Sequence, residues 1–259
     1  MVRVRLVGMG NVLGIDVGGS GIKGALVDLT AGEFASDRVR IPTPEKSTPA
    51  NCAEVIGRII HHFAADLGDE PIGVTVPAAV VRGVVPMMAN LDKSWAGLAA
   101  TAYLSASLGR RIVLINDADA AGLAEVYYGA AKDVPGIVMV LTLGTGIGSA
   151  VIHDGVLLPN TELGHLELDG HDAETRASAG ARDKGNLSYK DWAARLDRYL
   201  NHVQMLFSPD LFVIGGGVSK NHKQFLPLIH LRTPIVPAKL RNRAGIIGAA
   251  WAAVNLPPT

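Results

Sequence analysis

Three glycine-rich segments of the sequence contain the residue types that bind phosphate groups. They are Asp16-Val17-Gly18-Gly19-Ser20 with Lys23 close behind, Thr142-Leu143-Gly144-Thr145-Gly146, and Gly215-Gly216-Gly217. Glycine has no Cβ, so the backbone N–H groups of such turns can approach anion oxygens closely. A single glycine-rich turn can simply connect two strands of a hairpin, but three in one chain predict a site for a phosphorylated ligand.

The spacing within these segments excludes two common phosphate-binding motifs. The chain has no GxxxxGKS/T sequence and therefore no Walker loop. Gly144 opens a GxGxG pattern, but an aliphatic run follows it instead of a helix, so a Rossmann dinucleotide site is excluded as well. The third segment stands between a strand and a predicted helix, whose N-terminus can hold a phosphate or a nucleoside.

Asn116 and Asp117 follow an aliphatic run and open a predicted helix. In an α/β sheet this is the edge at which catalytic groups are presented. Asp is also a common helix N-cap residue, so a structural role for Asp117 is the alternative.

Carboxylates and an imidazole cluster farther along the chain, at Glu162, His165, Glu167 and Glu174. Such groups can hold several hydroxyls of a polyol. Zinc is the competing ligand, but the segment lacks the HExxH pattern and has no cysteine near it, so a sugar site is favoured. The single cysteine, Cys52, also excludes intramolecular disulfides and Cys-clustered metal sites.

The 259-residue composition predicts a soluble, cytoplasmic protein with no membrane partner. No run of about 18 apolar residues is present to span a bilayer. Residues 1–10 alternate Val and Arg, whereas a signal peptide has a continuous apolar stretch.

Basic residues are concentrated at the end of the chain. Residues 211–259 contain six Lys and Arg and no acidic residue, so the first 210 hold 18 basic against 24 acidic residues. This segment, which includes Lys220, Lys223, Arg241 and Arg243, either contacts a polyanion or pairs with acidic groups elsewhere in the fold.

The elements that must position these groups alternate between strands and helices. Aliphatic runs predict strands at 12–15, 25–29, 72–76, 112–115, 137–143, 148–158 and 211–214. Apolar spacing predicts helices at 51–66, 95–108 and 118–131, and a further one from Ser188 to just before Pro209. The stretch 245–254 is predicted to be a helix of small residues that packs closely against a glycine turn. The polar stretch 169–186 has no periodicity and is predicted to be a loop.

An internal repeat relates the two halves of the chain. Gly19-Ser20-Gly21-Ile22 recurs as Gly144-Thr145-Gly146-Ile147, each copy between two aliphatic runs. Two such hairpins, one per half, predict a duplicated lobe with a cleft between the copies. Coincidence in a glycine-rich chain is the alternative.

In this order along the chain, the motifs resemble those of the ROK sugar kinases, a family of the hexokinase/actin-like superfamily. The resemblance rests on DxGGSxxK from Asp16, ND at Asn116, LGTGxG from Leu143, ExGH from Glu162 and GGGVS from Gly215. Within that family, the segment 90–95 (NLDKSW) and residues 187–217 are similar to the polyphosphate glucokinases.

The resemblance implies an α/β fold of the duplicated, two-lobed, actin-like (hexokinase/ribonuclease H-like) type with a cleft between the lobes. The lobes would be residues 1–117 and 118–259, with the C-terminal helix packed back on the first. The family's CxCGxxGCxE zinc motif is missing, and residues 171–174 stand in its place with only the final glutamate retained. Structural zinc is therefore not expected.

The resemblance also implies a reaction: phosphorylation of the 6-hydroxyl of glucose, or of mannose, with inorganic polyphosphate, ATP or both as donor. Asp117 would accept the hydroxyl proton, and exchangeable Mg²⁺, with Asp16 as its nearest protein group, would screen the phosphate charge. The other sugar hydroxyls would be held by Asn90, Asn116, Glu162, His165 and Glu174. The phosphates would be held by Asp16, Gly18, Gly19, Ser20, Lys23, Thr142, Gly144, Thr145 and Gly146.

The nucleotide or polyphosphate would extend along the third glycine segment and the basic tail. The residues expected there are Gly215, Gly216, Gly217, Lys220, Lys223, Arg241 and Arg243, with Lys184, Arg195 and Arg198 as a continuation. A homodimer without a nucleic-acid partner is expected from the family.

Alternatives of other kinds are a strictly ATP-dependent hexose kinase, a non-catalytic sugar sensor or regulator, and an actin-like ATPase. A ROK regulator would need an N-terminal helix-turn-helix, and only about eleven residues precede the first predicted strand. An actin-like ATPase would not need the polyol cluster.

Overall fold

A computed structural model of the protein describes residues 11–257. Its contacts divide these residues into two compact units, residues 11–124 with 243–257 and residues 125–242. The sequence-based division after residue 117 stays a prediction about the lobes. The expectation that residues 1–10 are no signal peptide lies outside the described residues.

The chain from residue 11 to residue 128 alternates strands and helices. In order, its elements are β1 (Val12–Gly18), β2 (Gly21–Asp28), β3 (Glu33–Phe34), β4 (Val39–Ile41), α1 (Pro49–His62), β5 (Ile72–Val76), α2 (Ala100–Leu108), β6 (Ile112–Asn116) and α3 (Asp117–Tyr128). A 3-10 turn, Lys93–Trp95, precedes α2.

The remaining described residues continue the alternation. In order, they form β7 (Ile137–Leu143), β8 (Ile147–His153), β9 (Val156–Leu158), β10 (Glu167–Leu168), β11 (His171–Asp172), α4 (Glu174–Ala177), α5 (Ala179–Lys184), α6 (Tyr189–Phe207), β12 (Leu211–Gly215), β13 (Ile235–Pro237) and α7 (Ala244–Asn255). Further 3-10 turns lie at Leu163–His165, Gly217–Gln224, Leu226–Leu228 and Arg241–Arg243.

The two large sheets have the same strand plan. The first runs in the order β3-β2-β1-β5-β6, with β4 also on β2, and the second in the order β9-β8-β7-β12-β13. In each, an antiparallel hairpin (β1-β2 or β7-β8) is followed by two parallel strands. The internal repeat is thereby confirmed. The second hairpin turn is one residue longer, because Gly18 pairs with Gly21 whereas Leu143 pairs with Ile147.

Several predicted elements are confirmed at or near their predicted bounds. The strands at 72–76 and 137–143 match β5 and β7. Ser188 caps α6 by accepting a hydrogen bond from the Asp191 N–H (3.1 Å), and the helix ends two residues before Pro209. The predicted helix 95–108 is shorter, since α2 begins at Ala100. The predicted strand 148–158 is a hairpin of β8 and β9.

The prediction of a loop at 169–186 is wrong. This stretch holds β11, α4 and α5, three elements too short to leave a periodic pattern. Ser178 starts α5 by accepting a hydrogen bond from the Ala181 N–H (3.0 Å). The buried side chains of Ala173, Ala177 and Ala179 fix the stretch against the core of its unit.

Helix α7 packs on the first sheet at backbone contact distance. A Cβ at Gly14 in β1 would overlap the Ile246 carbonyl, and one at Gly73 in β5 would overlap the Ala249 carbonyl. On the helix itself, a Cβ at Gly248 would overlap the Ala120 carbonyl in α3. The small-residue helix was expected to pack against a glycine turn, and its partners are strand glycines.

Replacing Gly73 with alanine should lower the free energy of unfolding by more than about 2 kcal/mol, because backbone atoms of α7 would have to move. Chemical denaturation measures this change. The matched control is Gly57→Ala in α1, where the new methyl would meet only Leu108 Cδ2 at 3.4 Å. That control should be neutral or stabilising by up to ~1 kcal/mol. An unchanged midpoint for Gly73→Ala would contradict the close packing.

Candidate active site

The first glycine turn carries a fixed carboxylate. Asp16 lies in β1 opposite Lys23 in β2. One carboxylate oxygen of Asp16 accepts a hydrogen bond from Thr75 Oγ1 (3.0 Å), and the other pairs with Lys23 Nζ (3.1 Å). Both side chains remain partly exposed, so a charged group is available beside the turn.

Asn90, Lys23 and Arg40 lie close to the turn between β1 and β2. A Cβ at Gly19 would lie 3.7 Å from the Asn90 carbonyl oxygen, and one at Gly18 would lie 3.9 Å from Lys23 Nζ. Arg40 Nη2 donates to the Ser20 carbonyl (2.9 Å) from the neighbouring strand β4. The structure therefore brings Gly18, Gly19, Ser20, Lys23 and the exposed residue Asn90 together within one unit.

Two hydrogen bonds to Ser47 hold the segment that follows Asn90 in place. Trp95 is fully buried, and its indole N–H donates to the Ser47 carbonyl (2.8 Å). The Ser47 hydroxyl in turn accepts a hydrogen bond from the Asp92 N–H (3.0 Å). These contacts fix the loop that follows Asn90.

Asn116 and Asp117 stand where β6 ends and α3 begins. Asn116 Oδ1 accepts hydrogen bonds from the N–H groups of Ala118 (2.8 Å) and Asp119 (3.0 Å). Asp117 Oδ1 accepts one from the adjacent Ala118 N–H (2.8 Å). Asn116 is thus the main cap of α3, and its amide N–H₂ group, rather than its oxygen, is the part that can bind a sugar hydroxyl.

In residues 125–242, Glu174 joins the second hairpin to the predicted polyol cluster. It is the first residue of α4, and its Oε2 accepts a hydrogen bond from the Ile147 N–H (3.0 Å). A Cβ at Gly146 would overlap this carboxylate oxygen, and one at Gly164 would lie 3.0 Å from it. Glycine at position 146 therefore lets the carboxylate reach the hairpin, whereas a Cβ at Gly164 would first overlap the Ile147 carbonyl oxygen.

The turn Leu163–His165 holds the other members of that cluster. Partial burial of its carboxyl group raises the pKa of Glu162; His165 opposes this rise and the Glu174 charge adds to it. His165 Nδ1 lies 3.2 Å from Asp172 Oδ2. The cluster thus combines two carboxylates and an imidazole, groups suited to hydroxyl ligands.

Tyr199 supports this turn from α6. Its side chain is fully buried, and its hydroxyl donates to the Leu163 carbonyl (3.2 Å). Burial raises the pKa of Tyr199, and the Glu174 charge acts in the same direction, so the phenol keeps its proton and remains a donor. Tyr199 lies in the helix predicted from Ser188 to just before Pro209, and nothing local in the sequence reveals which carbonyl its hydroxyl contacts.

A pocket of about 390 Å³ lies beside the second hairpin. The residues that line it include Gly144, Thr145, Gly180, Arg182, Gly217 and Lys220. The backbone segments meet closely: a Cβ at Gly180 would lie 2.6 Å from the Thr145 carbonyl oxygen, and one at Gly216, whose φ is +80°, would overlap the Leu143 carbonyl. Thr142 in β7 and Gly215 in β12 are paired with each other in the second sheet.

Arg182 is a wall residue of this pocket that the sequence analysis missed. Its guanidinium carbon lies 4.5 Å from the Tyr189 ring centre and 5.7 Å from that of Trp192, and Nη2 pairs with Asp183 Oδ1 (2.5 Å). Its Nη1 is buried and has no hydrogen-bond partner among the described residues. The residue lies in the stretch wrongly predicted to be a loop.

Of the predicted cationic track, Lys220 lines this pocket and the others do not. Lys223 is exposed farther along the 3-10 turn Gly217–Gln224, and Arg241 and Arg243 form another 3-10 turn. Lys184 ends α5. The roles of these residues and of the remaining predicted site residues stay predictions.

Across residues 11–257, no group of three or more His, Cys, Asp or Glu side chains is arranged to hold a metal ion. Cys52 is buried, which raises its pKa to about 11. Within the same range, no helix is both long and apolar enough to cross a membrane. The expected lack of structural zinc stays a prediction.

Comparison with known proteins gives consistent findings. The family model described as the ROK family matches residues 12–183. The polyphosphate glucokinase of Mycobacterium tuberculosis is 50% identical over 242 residues, which are 93% of this chain and 90% of that protein.

Two solved structures show the same fold. The inorganic polyphosphate/ATP-glucomannokinase from Arthrobacter sp. strain KM superposes with a TM-score of 0.89 at 53% identity, covering 93% of this chain and 97% of that one. A ROK family glucokinase from Streptomyces griseus, in complex with glucose and AMPPNP, gives a TM-score of 0.78 at 22% identity, covering 94% and 99%. The predicted duplicated, actin-like α/β fold class is confirmed.

Proposed function

This chain belongs to the ROK family, and from that membership we propose that it phosphorylates glucose with inorganic polyphosphate or ATP as the donor. The observation that carries the proposal is the pairing, within residues 125–242, of a donor-sized pocket with a polyol cluster, joined by Glu174. The half-identical polyphosphate glucokinase supports the choice of substrate class.

For the sugar, we propose that Asp117 accepts the proton of the attacking 6-hydroxyl. Its place at the carboxyl end of β6 is where parallel strands present catalytic groups. Asn90, the Asn116 amide, Glu162, His165 and the second carboxylate oxygen of Glu174 are proposed to hold the other hydroxyls. Each of these groups has a hydrogen-bonding atom that matches a hydroxyl.

For the donor, the two hairpin turns are proposed to bind phosphoryl oxygens. Turn backbones supply N–H donors, and Lys23 adds a positive charge beside Gly18. The transition state of phosphoryl transfer is loose, so these groups act by positioning and by electrostatic stabilisation, with little covalent chemistry of their own.

A divalent metal is expected in a kinase, and we propose Mg²⁺. The residues present fit an ion that arrives with the donor: Asp16 offers one partly exposed carboxylate beside the turn, and Mg²⁺ commonly takes one or two carboxylates together with donor phosphates. When bound, the ion neutralises charge on the transferred group. Lys23 forms an ion pair with the Asp16 carboxylate and keeps that carboxylate oriented.

Mannose as a second acceptor is proposed because the Arthrobacter neighbour is named a glucomannokinase. A cytoplasmic homodimer is proposed from the family resemblance alone. A strictly ATP-dependent hexose kinase and a non-catalytic sensor are the alternatives, and a donor and acceptor panel on purified protein separates them.

Changing Asp117 to Asn should reduce turnover by about 10²- to 10⁴-fold, because the proton acceptor is lost. The Michaelis constants and the free energy of unfolding should change little, since Asn116 is the main cap of α3. Steady-state kinetics and chemical denaturation measure the two effects. The exposed Asp69→Asn is the matched control and should behave as wild type. Near-normal turnover of Asp117→Asn would remove it from the role of base.

Changing Lys220 to Gln should raise the Michaelis constant for polyphosphate more than that for ATP. The difference between the two donors should be larger at low salt than at high salt. A polyanion with one charge per phosphate gains more from each cation than a nucleotide does. Lys223→Gln should have a smaller effect because Lys223 does not line the pocket. Exposed Arg232→Gln is the control. Equal losses for both donors would make Lys220 a generic phosphate contact.

A further inference from the structure

A second pocket, of about 260 Å³, lies in residues 125–242 apart from the donor pocket. Leu168 and the exposed Ala194 form the accessible apolar part of its wall, and the buried residues Ala173, Ala177 and Tyr199 also line it. Its polar part carries three arginines, Arg176 from α4 and Arg195 and Arg198 from α6, together with His171 and Asp169. Neither the phosphate-binding turns nor the sugar-binding carboxylates line it.

The charges around this pocket are not balanced. Arg198 pairs with Asp169 (2.8 Å), and Arg176 Nη2 contacts His171 Nε2 (2.5 Å). Among the described residues, neither Arg176 nor Arg195 has a carboxylate within ion-pairing distance. Arg195 and Arg198 are three residues apart on one helix, a spacing at which like charges repel. An anion in the pocket would relieve this repulsion.

We propose that this pocket binds the phosphate group of a small phosphate monoester. A guanidinium group can donate two hydrogen bonds at once to the oxygens of a phosphate group. Three guanidinium groups from two helices line this pocket. The Leu168 side chain and the Ala194 methyl suit the carbon body of a monoester. A polyphosphate chain is anionic along its whole length and would leave this apolar wall without a partner.

The pocket adjoins the sugar cluster, so its binding has to be measured with that cluster blocked. Tyr199, a wall residue, donates to the Leu163 carbonyl, and His171 is the neighbour of Asp172, which contacts His165. The choice of glucose and an ATP analogue as blocking ligands rests on the proposed function, whereas the proposal about the pocket rests on its own residues.

The test is isothermal titration calorimetry of the full chain, saturated with glucose and a non-hydrolysable ATP analogue, using glucose 6-phosphate as the probe. We expect one binding event per chain, weakened by about tenfold or more in Arg176→Gln/Arg195→Gln, since charged hydrogen bonds are lost. Arg232→Gln and Lys220→Gln should retain it. Absence of binding to the saturated wild type, or equal affinity in the double variant, would overturn the proposal.

Two further arms identify the ligand and separate the two hypotheses. Inorganic tripolyphosphate should bind the pocket more weakly than the monoester; tighter binding that the double variant abolishes would assign the pocket to polyphosphate and overturn the monoester. If glucose fails to bind at all, the proposed function falls, whereas failure of the ATP analogue alone leaves polyphosphate as the donor. Titration of the unblocked chain with glucose 6-phosphate still tests the pocket, through the difference between the double variant and Arg232→Gln.

Because both arginines are exposed, the unfolding midpoint of the double variant should match wild type.

Discussion

The hydrogen bond from the Ile147 N–H to the Glu174 carboxylate is the contact on which the chemistry proposed for residues 125–242 depends. It fixes the second hairpin to the start of α4, and the Glu174 charge adds to the rise in the pKa of Glu162 that burial causes. Glycines at 146 and 164 keep the space it occupies free of a Cβ. One side chain therefore connects the proposed donor turn to the proposed sugar cluster, and the position of each constrains the other.

The duplicated sheets supply the frame for this contact. Each sheet has a hairpin at the same place, β1-β2 or β7-β8, and the glycines in its turn leave backbone N–H groups that are proposed to face the phosphate donor. In the first unit, helix α7 lies on β1 and β5 at backbone distance, close enough that Gly245 adjoins the Asp16 carboxylate (3.5 Å from a Cβ position to Cγ). Packing and site geometry are thus set by the same small residues.

Much of this arrangement could be predicted from the sequence, because hairpin glycines, aliphatic runs and the Ser188 cap act locally. The repeat of Gly19 to Ile22 at Gly144 to Ile147 was enough to predict two matching sheets. The short elements between residues 169 and 186 could not be predicted, since they have no period and depend on tertiary burial of alanines. The capping role of Asn116 and the stacking of Arg182 on aromatic rings likewise follow from contacts distant in sequence or ambiguous in type.

The most direct test compares Glu174→Ala with Glu174→Gln in steady-state kinetics for both substrates. Gln retains an oxygen that can accept from the Ile147 N–H, and Ala does not. The account predicts that Glu174→Ala raises the Michaelis constants for glucose and for the donor together, by about tenfold or ~1.4 kcal/mol each, whereas Glu174→Gln leaves the donor constant near wild type. A donor constant unchanged in Glu174→Ala would contradict the claim that this carboxylate ties the two sites together.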